Sequence, residues 1–446
     1  MNETAADVAQ WRIEVRSGAR LHFGLLAAGG RSQIEYGGVG VIVDRPHMCV
    51  CAGPAGAEAA TGGERSWTIC GGERWAVART LEVLRRLEGG RARGDSSDED
   101  PFGVLRALAA DEAVETCESP RCSGPVPMCG RMELRSVPPP HTGFGSGTQF
   151  CLSVGLAAVL CRLRQWGWRV RRGVIGGEPA DGAGRRPDGW SARERAAVTM
   201  ACRLADRLGR SRRSAVGTIG FAVGGLVAEG AVLDPSAVPV RDGGSRVRFW
   251  APGDGSRAAG GPKAPVRPFA RVTVPDGWRF LVVWRRAVRG VAGHRERRVF
   301  RELCPMNNGV VRSLRRLANE ELLRAAASAD FDAFAQALVE YGSLVGRFFS
   351  AYQGGTLADA RLSRVLRQLP ARFRLGWAQS SWGPAVFAPC RTQAMAEQLE
   401  RELHHRLPAD AYRTVVAAPR NAGASVALRD TGRGDGASLF CVSRVS

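Results

Sequence analysis

Lysine is all but absent: Lys263 stands alone among 63 basic residues, and every other one is arginine. The formal charge of +20 therefore reads as a bias toward arginine, spread along the chain and not gathered beside stacking aromatics. A nucleic-acid partner is not expected. Single arginines stay useful wherever a phosphate or carboxylate must be gripped. The 12 cysteines include no CxxC pair, and Cys117, Cys122 and Cys129 lack histidines at metal-ligand spacing. Reduced, mostly buried thiols are expected, with no cysteine metal site. No basic segment followed by an apolar stretch opens the chain, which starts MNETAADVAQW. The longest apolar run, near Phe150 to Leu163, is interrupted by polar residues and too short to cross a bilayer. A soluble, cytoplasmic protein with no membrane partner is the expectation. No internal repeat is visible.

What is present suffices for a large core. Hydrophobic residues make up 44% of 446, enough for two or three folding units. WRIEVRSGARLHFGLL and EYGGVGVIVDRP read as strands meeting glycine turns, and RWAVARTLEVLRRL as an amphipathic helix. TQFCLSVGLAAVLCRL is apolar on all sides and reads as a buried helix. SRRSAVGTIGFAVGGLVAEGA reads as a polar turn, then small apolar residues and a strand. Strands recur in ARVTVPDGWRFLVVW and YRTVVAAP, with helical patterns between Arg312 and Leu369 and in RTQAMAEQLERELHHRL. This mixture predicts an α+β fold in two domains. The expected division is 1–235, a linker or long loop at 236–268, and 269–446, with insertions near 89–130 and 172–194.

Two common phosphate signatures are missing: no GK[ST] follows a glycine loop, and no GxGxxG opens a strand-to-helix turn. In their place stands PPPHTGFGSGTQF, Pro138 to Phe150. Gly143, Gly145 and Gly147 free the backbone to curl, so that successive N–H groups converge on an anion at the positive end of the helix that follows. Ser146 and Thr148 add hydroxyls. A plain helix-capping turn is the alternative.

Pro139, Gly143, Gly145 and Ser146 fit the Pro-x-x-x-Gly-x-Gly-Ser motif of the GHMP kinase superfamily. Counting back from Gly224 and Gly225, the position where such kinases carry an acceptor-orienting aspartate holds Gly217, beside Thr218. SGARLHFGLL, YGGVG, HTGFGSGTQ, RRSAVGT, RGVAGHRERRVFREL and AQSSWGPAVFA occur in order. With them the chain resembles β-ribofuranosylaminobenzene 5′-phosphate synthase, a branch of that superfamily that is not a kinase. The resemblance implies a two-domain GHMP kinase-like fold. It also implies decarboxylating transfer of phosphoribose from 5-phosphoribosyl 1-diphosphate to 4-aminobenzoate or 4-hydroxybenzoate, with loss of pyrophosphate and carbon dioxide. That pathway leads to methanopterin-type carriers, needs Mg²⁺ and no organic cofactor, and the resemblance implies a homodimer acting on small molecules. The rival readings are an ATP-dependent GHMP kinase and a non-catalytic ligand- or RNA-binding protein.

The site expected from these motifs places His141, Gly143, Gly145, Ser146, Gly147, Thr148 and Gln149 at the pyrophosphate. Arg212, Arg213, Ser214 and Thr218 form a second anion site for the 5-phosphate or the carboxylate. Arg20, His22 and Phe23 would border the benzoate, although a packed histidine is an equal reading. His294 and Glu296 could serve a metal or a proton or form a charged helix face, with Arg289 as a phosphate contact. Gln379, Ser380, Ser381 and Trp382 are candidate ring or pyrophosphate contacts. Asp44 suits a metal or a strand-end hydrogen bond equally. The catalytic set is thus His22, His294 and Glu296, with the metal ligands open.

Overall fold

The computed structural model describes residues 11–26, 37–54, 67–88, 129–165, 168–170, 173–174, 189–210, 215–230, 247–250, 268–291, 293–373, 376–430 and 442–444. The early strands are β1 (Trp11–Leu25), β2 (Gly38–Gly53), β3 (Trp67–Cys70), β4 (Gly130–Ser136), β5 (Trp168–Val170), β6 (Gly173–Val174), β7 (Leu226–Glu229) and β8 (Arg248–Trp250). Later come β9 (Phe269–Val272), β10 (Arg279–Arg285), β11 (Ala378–Gln379), β12 (Val386–Cys390), β13 (Tyr412–Ala417), β14 (Ser425–Asp430) and β15 (Val442–Arg444). The helices are α1 (Arg74–Glu88), α2 (Ser146–Gln165), α3 (Ala192–Arg207), α4 (Val216–Val223) and α5 (Gly293–Leu303). They continue with α6 (Asn308–Arg316), α7 (Leu323–Ala327), α8 (Phe331–Gln353), α9 (Ala360–Arg367) and α10 (Gln393–His404). The fold is α+β, as the residue pattern predicts.

A nine-stranded sheet runs β6-β14-β1-β2-β7-β9-β8, with β4 also on β2 and β3 on β4, and a four-stranded sheet runs β11-β12-β10-β13. The division at 268/269 does not follow these sheets. β9 and β14, both assigned by sequence to the second half, pair with β7 and β1 in the large sheet. The expected linker at 236–268 contains β8, which pairs with β9; 231–246 and 251–267 lie outside the described residues, as do 89–128 and 175–188 of the two insertions. The end of the second insertion is core: Trp190 is fully buried, and Ser191 caps α3 reciprocally with Glu194, the S-x-x-E capping box.

Long β1 and β2 serve two cores, and their pairing slips twice, between Ser17 and Ala19 and between His22 and Gly24. Ile13 and Val15 face the cluster built with α1 to α4, whereas Ala19, Leu21 and Phe23 face a second cluster with β9, β10, α7 and α8. All five positions are odd, so period-two alternation alone would put them on one face. At the register shift between Ser17 and Ala19, which pair with Met48 and Val43, Gly18 alone stands opposite residues 44–47 of β2, an odd offset that exchanges the faces of β1. On β2 ordinary alternation suffices: odd-numbered Val39, Val41 and Val43 face the second cluster, and even-numbered Met48, Val50 and Ala52 face the first.

Helix α2 has the length and composition to cross a membrane, longer than the apolar run suggested, but nearly all of it is buried within the fold. Helix α4 falls where the sequence reads as small apolar residues leading to a strand, because VGTIGFAV is glycine- and β-branched-rich and a poor helix former. Every residue of it is buried, so packing supplies what propensity lacks. A third cluster fills the space between the four-stranded sheet and helices α9 and α10.

One buried ion pair ties α3 to the sheet edge. Arg248 Nη1 lies 2.6 Å from Glu194 Oε1 and 2.7 Å from Oε2, with both side chains almost wholly out of water. Glu194→Gln keeps the side-chain shape at the cap but strands the arginine charge. The expected loss is about 3 kcal/mol of unfolding free energy, measured by urea titration, and a loss below about 0.5 kcal/mol would show that the pair contributes no net stability.

Candidate active site

Because of the exchange of faces in β1, Arg20 and His22, two residues apart, share the face turned toward α2 and α4. Phe23 points the other way. Its ring is fully buried, with its centroid 5.4 Å from that of Phe387 and 6.3 Å from that of Phe334, so it is core and does not border a ligand as expected from its position in the motif.

The glycine loop delivers α2 to these side chains. Gly143 (φ +103°) and Gly145 (φ +64°) occupy the left-handed region, as does His141 (φ +57°), a backbone that favours glycine. The Gly145 carbonyl accepts from the N–H groups of Thr148 (3.0 Å) and Gln149 (3.2 Å), closing the first turn. A Cβ on Gly145 would lie 3.1 Å from Arg20 Nε, and one on Gly147 would lie 3.2 Å from Arg210 Nη2. Two guanidinium groups therefore lie against the loop. Arg20 N–H donates to the Phe144 carbonyl (2.9 Å), and Arg210 Nη2 donates to Thr148 Oγ1 (3.1 Å).

Burial, followed by repulsion from Arg210, lowers the Arg20 pKa to about 10, with Glu229 and Glu296 pulling the other way. Arg20 remains charged at neutral pH. Its Nε has no hydrogen-bond partner among the described residues. Two cations crowded at the positive end of a buried helix make a site for an anion with more than one charge.

The turn between β11 and β12 closes the loop from the other side. Ser380 Oγ donates to the Gly143 carbonyl (2.7 Å) and accepts from the His22 N–H (2.9 Å). Ser381 N–H donates to the His22 carbonyl (3.1 Å), and Ala385 N–H to that of Thr142 (3.1 Å). Ser381, itself at φ +55°, sets its Oγ 3.2 Å from His22 Nδ1. His22 Nε2 is buried and unpartnered among the described residues. Burial and then the Arg20 charge hold the His22 pKa well below 6.5, so the ring is neutral at pH 7.

Other expected contacts are engaged elsewhere. The Gln379 amide accepts from Ala358 N–H (2.7 Å) and donates to Gln353 Oε1 (3.0 Å) and the Ser381 carbonyl (3.1 Å), so it braces the turn. Trp382 packs on Phe349 (4.1 Å) and Phe300 (5.6 Å), a hydrophobic wedge. Arg289 is exposed, with Nη1 on the Arg286 carbonyl (3.3 Å). His294 is exposed on α5, while Glu296 is partly buried and close enough to raise the Arg20 pKa. Gly290 N–H donates to the His141 carbonyl (2.6 Å) and docks this segment on the loop. The Asp44 carboxylate accepts from Ala418 N–H (2.7 Å), a structural hydrogen bond made within β2, where its pairing with β1 breaks, and not at the strand end.

Arg212, Arg213 and Ser214 lie outside the described residues. Thr218 is buried on α4, and its neighbour Gly217 accepts from Gln149 Nε2 (2.9 Å) through its carbonyl. A Cβ on Gly217 would meet Thr148 Cγ2 at 3.4 Å and Arg20 Cδ at 3.8 Å. The position where a kinase would carry its acid thus does face the loop. Arg210 escaped the sequence reading; the signal for it was the basic run RSRRS, of which only the later members were chosen.

No family model matches the chain. It is similar to two curated proteins, each called β-ribofuranosylphenol 5′-phosphate synthase. The one from Methanothermobacter thermautotrophicus is 24% identical over 57% of this chain and 62% of its own length, so that match spans less than two thirds of the relative. The one from Archaeoglobus fulgidus is 24% identical over 93% of this chain and 99% of its own. Among solved structures, mevalonate pyrophosphate decarboxylase from Streptococcus pyogenes overlays with a TM-score of 0.48 at 10% identity, covering 93% of this chain and 98% of that one. Homoserine kinase from Cytophaga hutchinsonii overlays with 0.46 at 13% identity, covering 96% and 99%.

The neutral histidine carries a pH signature. Below its ordinary value of 6.5 an unfolded His22 takes a proton that the folded chain refuses, so stability falls as pH falls from there toward the depressed folded value. The slope attributable to one proton is about 1.4 kcal/mol per pH unit. His22→Asn should flatten it, leaving the shallower contribution of His47, whose pKa is also lowered by burial and by Arg16. Unfolding titrations between about pH 5 and pH 8 check this, and identical slopes in both proteins would refute a neutral buried ring.

Proposed function

We propose that the chain is a decarboxylating phosphoribosyltransferase of the β-ribofuranosylphenol or -aminobenzene 5′-phosphate synthase type. The observation that carries this reading is the pair Arg20 and Arg210 pressed on the glycine loop. A diphosphate leaving group needs concentrated, pre-oriented positive charge, and fixed guanidinium groups and backbone N–H groups supply it without reorganisation. In this reading the diphosphate of 5-phosphoribosyl 1-diphosphate sits on the loop, and Arg20 and Arg210 take up the charge that grows as the bond to the ribose carbon breaks. The carboxyl-bearing ring carbon of the benzoate then forms the new C–C bond, and loss of carbon dioxide returns the electron pair to the ring. The names of the two relatives specify a phenol, which favours 4-hydroxybenzoate as acceptor.

The residues around the loop do not form a Mg²⁺ cage. Among the described residues the one group of three potential ligands is Glu14, Cys49 and Cys51, and thiols are poor partners for Mg²⁺. Glu229 already accepts from Ala215 N–H (2.7 Å). Arg20 and Arg210 provide the countercharge on the protein side, and Mg²⁺, when bound with the substrate, would supply further positive charge for the leaving group. The missing acid at Gly217 argues against kinase chemistry, which needs a group to orient the acceptor hydroxyl.

Purified protein given 5-phosphoribosyl 1-diphosphate and 4-hydroxybenzoate or 4-aminobenzoate should release carbon dioxide and a ribosylated arene detectable by mass spectrometry. Phosphate transfer from ATP to a sugar or alcohol, with no such product, would replace this reading by the kinase one.

Arg210→Ala should weaken pyrophosphate binding by about ten- to a hundredfold, the worth of one charge-assisted contact. Gly145→Val should do so at least as strongly, because a branched residue cannot hold its positive φ beside Arg20. Calorimetry with pyrophosphate, on variants with unchanged circular dichroism, reads both, and wild-type affinity in either would remove the loop from the leaving-group site.

A further inference from the structure

We infer that Glu14, Cys49 and Cys51 form a binding site for one thiophilic divalent cation, Zn²⁺ being the ion their donor set fits. Glu14 lies between Ile13 and Val15, which face the helix-covered core, so it occupies the opposite face of the sheet. Cys49 and Cys51 alternate in the same way with Met48, Val50 and Ala52. Across the strands Glu14 is paired with Cys51, and Cys51 with Glu133. The carboxylate and both sulfurs present ligand atoms within 4.8 Å of one another, and all three residues are buried. No CxxC spacing announces this site, because the third ligand comes from the neighbouring strand and the thiols, one residue apart, meet only through the period of the strand.

Borderline-soft Zn²⁺ takes sulfur and carboxylate oxygen together, in tetrahedral geometry with water completing a three-residue set. The surrounding arginines do not oppose it. Arg16, Arg135 and Arg429 already lie 3.2 to 3.4 Å from the Glu14 oxygens, and Arg12 lies 3.2 Å from Glu133. A divalent ion entering as two thiols each release a proton leaves the net charge seen by those guanidinium groups unchanged. A plain packing role explains the thiols less well: Cys51 Sγ is 4.0 Å from Glu14 Oε2, a weak donor set against a buried carboxylate. Bound metal would join β1 to β2 on the core side of the slip at Ser17, acting on the strand pair that the whole fold shares.

The test uses the full chain, stripped with chelator and then given Co²⁺ and Zn²⁺. One Co²⁺ per chain should produce a near-ultraviolet thiolate-to-metal band and intense tetrahedral visible bands, both bleached by Zn²⁺. Cys49→Ser and Cys51→Ser should each abolish the band and weaken Zn²⁺ binding by more than about a hundredfold, above the cost of losing a mere outer-shell partner. Cys161→Ser, in the buried helix α2, should leave both unchanged.

Alkylation of the wild-type chain with iodoacetamide, mapped by mass spectrometry, is independent of whether the variants fold: Zn²⁺ should protect Cys49 and Cys51 specifically. No thiolate band, a band retained in both serine variants, or protection of other cysteines would each overturn the site.

Discussion

Two positive charges held beside one glycine loop are the constraint on which the rest depends. Burying Arg20 next to Arg210 is unfavourable, and the lowered pKa of about 10 records that cost. The positive end of α2 adds to it; Glu229 and Glu296 offset part of it, and a tight enclosure holds the loop in place. The Gly143 carbonyl is held by Ser380, the Thr142 carbonyl by Ala385, and the His141 carbonyl by Gly290. Three loop carbonyls thus turn outward to fixed donors from the second half of the chain. A loop whose carbonyls are committed elsewhere can aim its remaining N–H groups and adjacent guanidiniums at an anion.

This enclosure explains glycines that conformation alone does not. A Cβ on Gly383 would lie 2.2 Å from the Gly143 nitrogen, and one on Gly290 would lie 2.0 Å from the Trp382 carbonyl oxygen. Both would strike backbone, which cannot move aside as a side chain can. The segments 141–149, 290 and 380–385 are therefore in backbone contact, and Trp382 and Gln379 act as the wedge and brace behind them. His22 belongs to the same construction: its main chain is held by Ser380 and Ser381, and its ring stays neutral because it is buried and then because Arg20 beside it is charged.

The glycine loop and the buried helix after it were legible because each is a local signal in residue type and spacing. Arg20 and His22 entered as benzoate neighbours through the motif SGARLHFG, and their place beside the glycine loop and the Ser380–Ser381 turn is seen only in the fold. What was not legible depends on events across the chain. Phe23 was misplaced because only the register shifts at Ser17 and at Phe23 itself, between His22 and Gly24, show which way it points. Helix α4 went unseen because eight buried residues, all but Phe221 small or β-branched, form a helix through packing. β9 and β14 join the large sheet through pairings with partners far away in sequence, which no window of residues reveals. Arg210 was hidden within a basic run whose members look alike until one of them meets Thr148.

Gly217 separates a geometric requirement from a chemical one. Its φ is not among the positive values, and a Cβ there would make ordinary contacts at 3.4 and 3.8 Å, so neither backbone nor space demands glycine. A carboxylate at this position would stand beside Arg20 and Thr148. It would neutralise one of the two charges that the loop concentrates and would compete with an incoming anion for the same guanidinium. A kinase accepts that competition because it must orient a hydroxyl. A loop that concentrates positive charge for an anion, as the proposed function requires, does better with no carboxylate beside Arg20, and the missing side chain at 217 and the crowding of Arg20 by Arg210 are two sides of that one requirement.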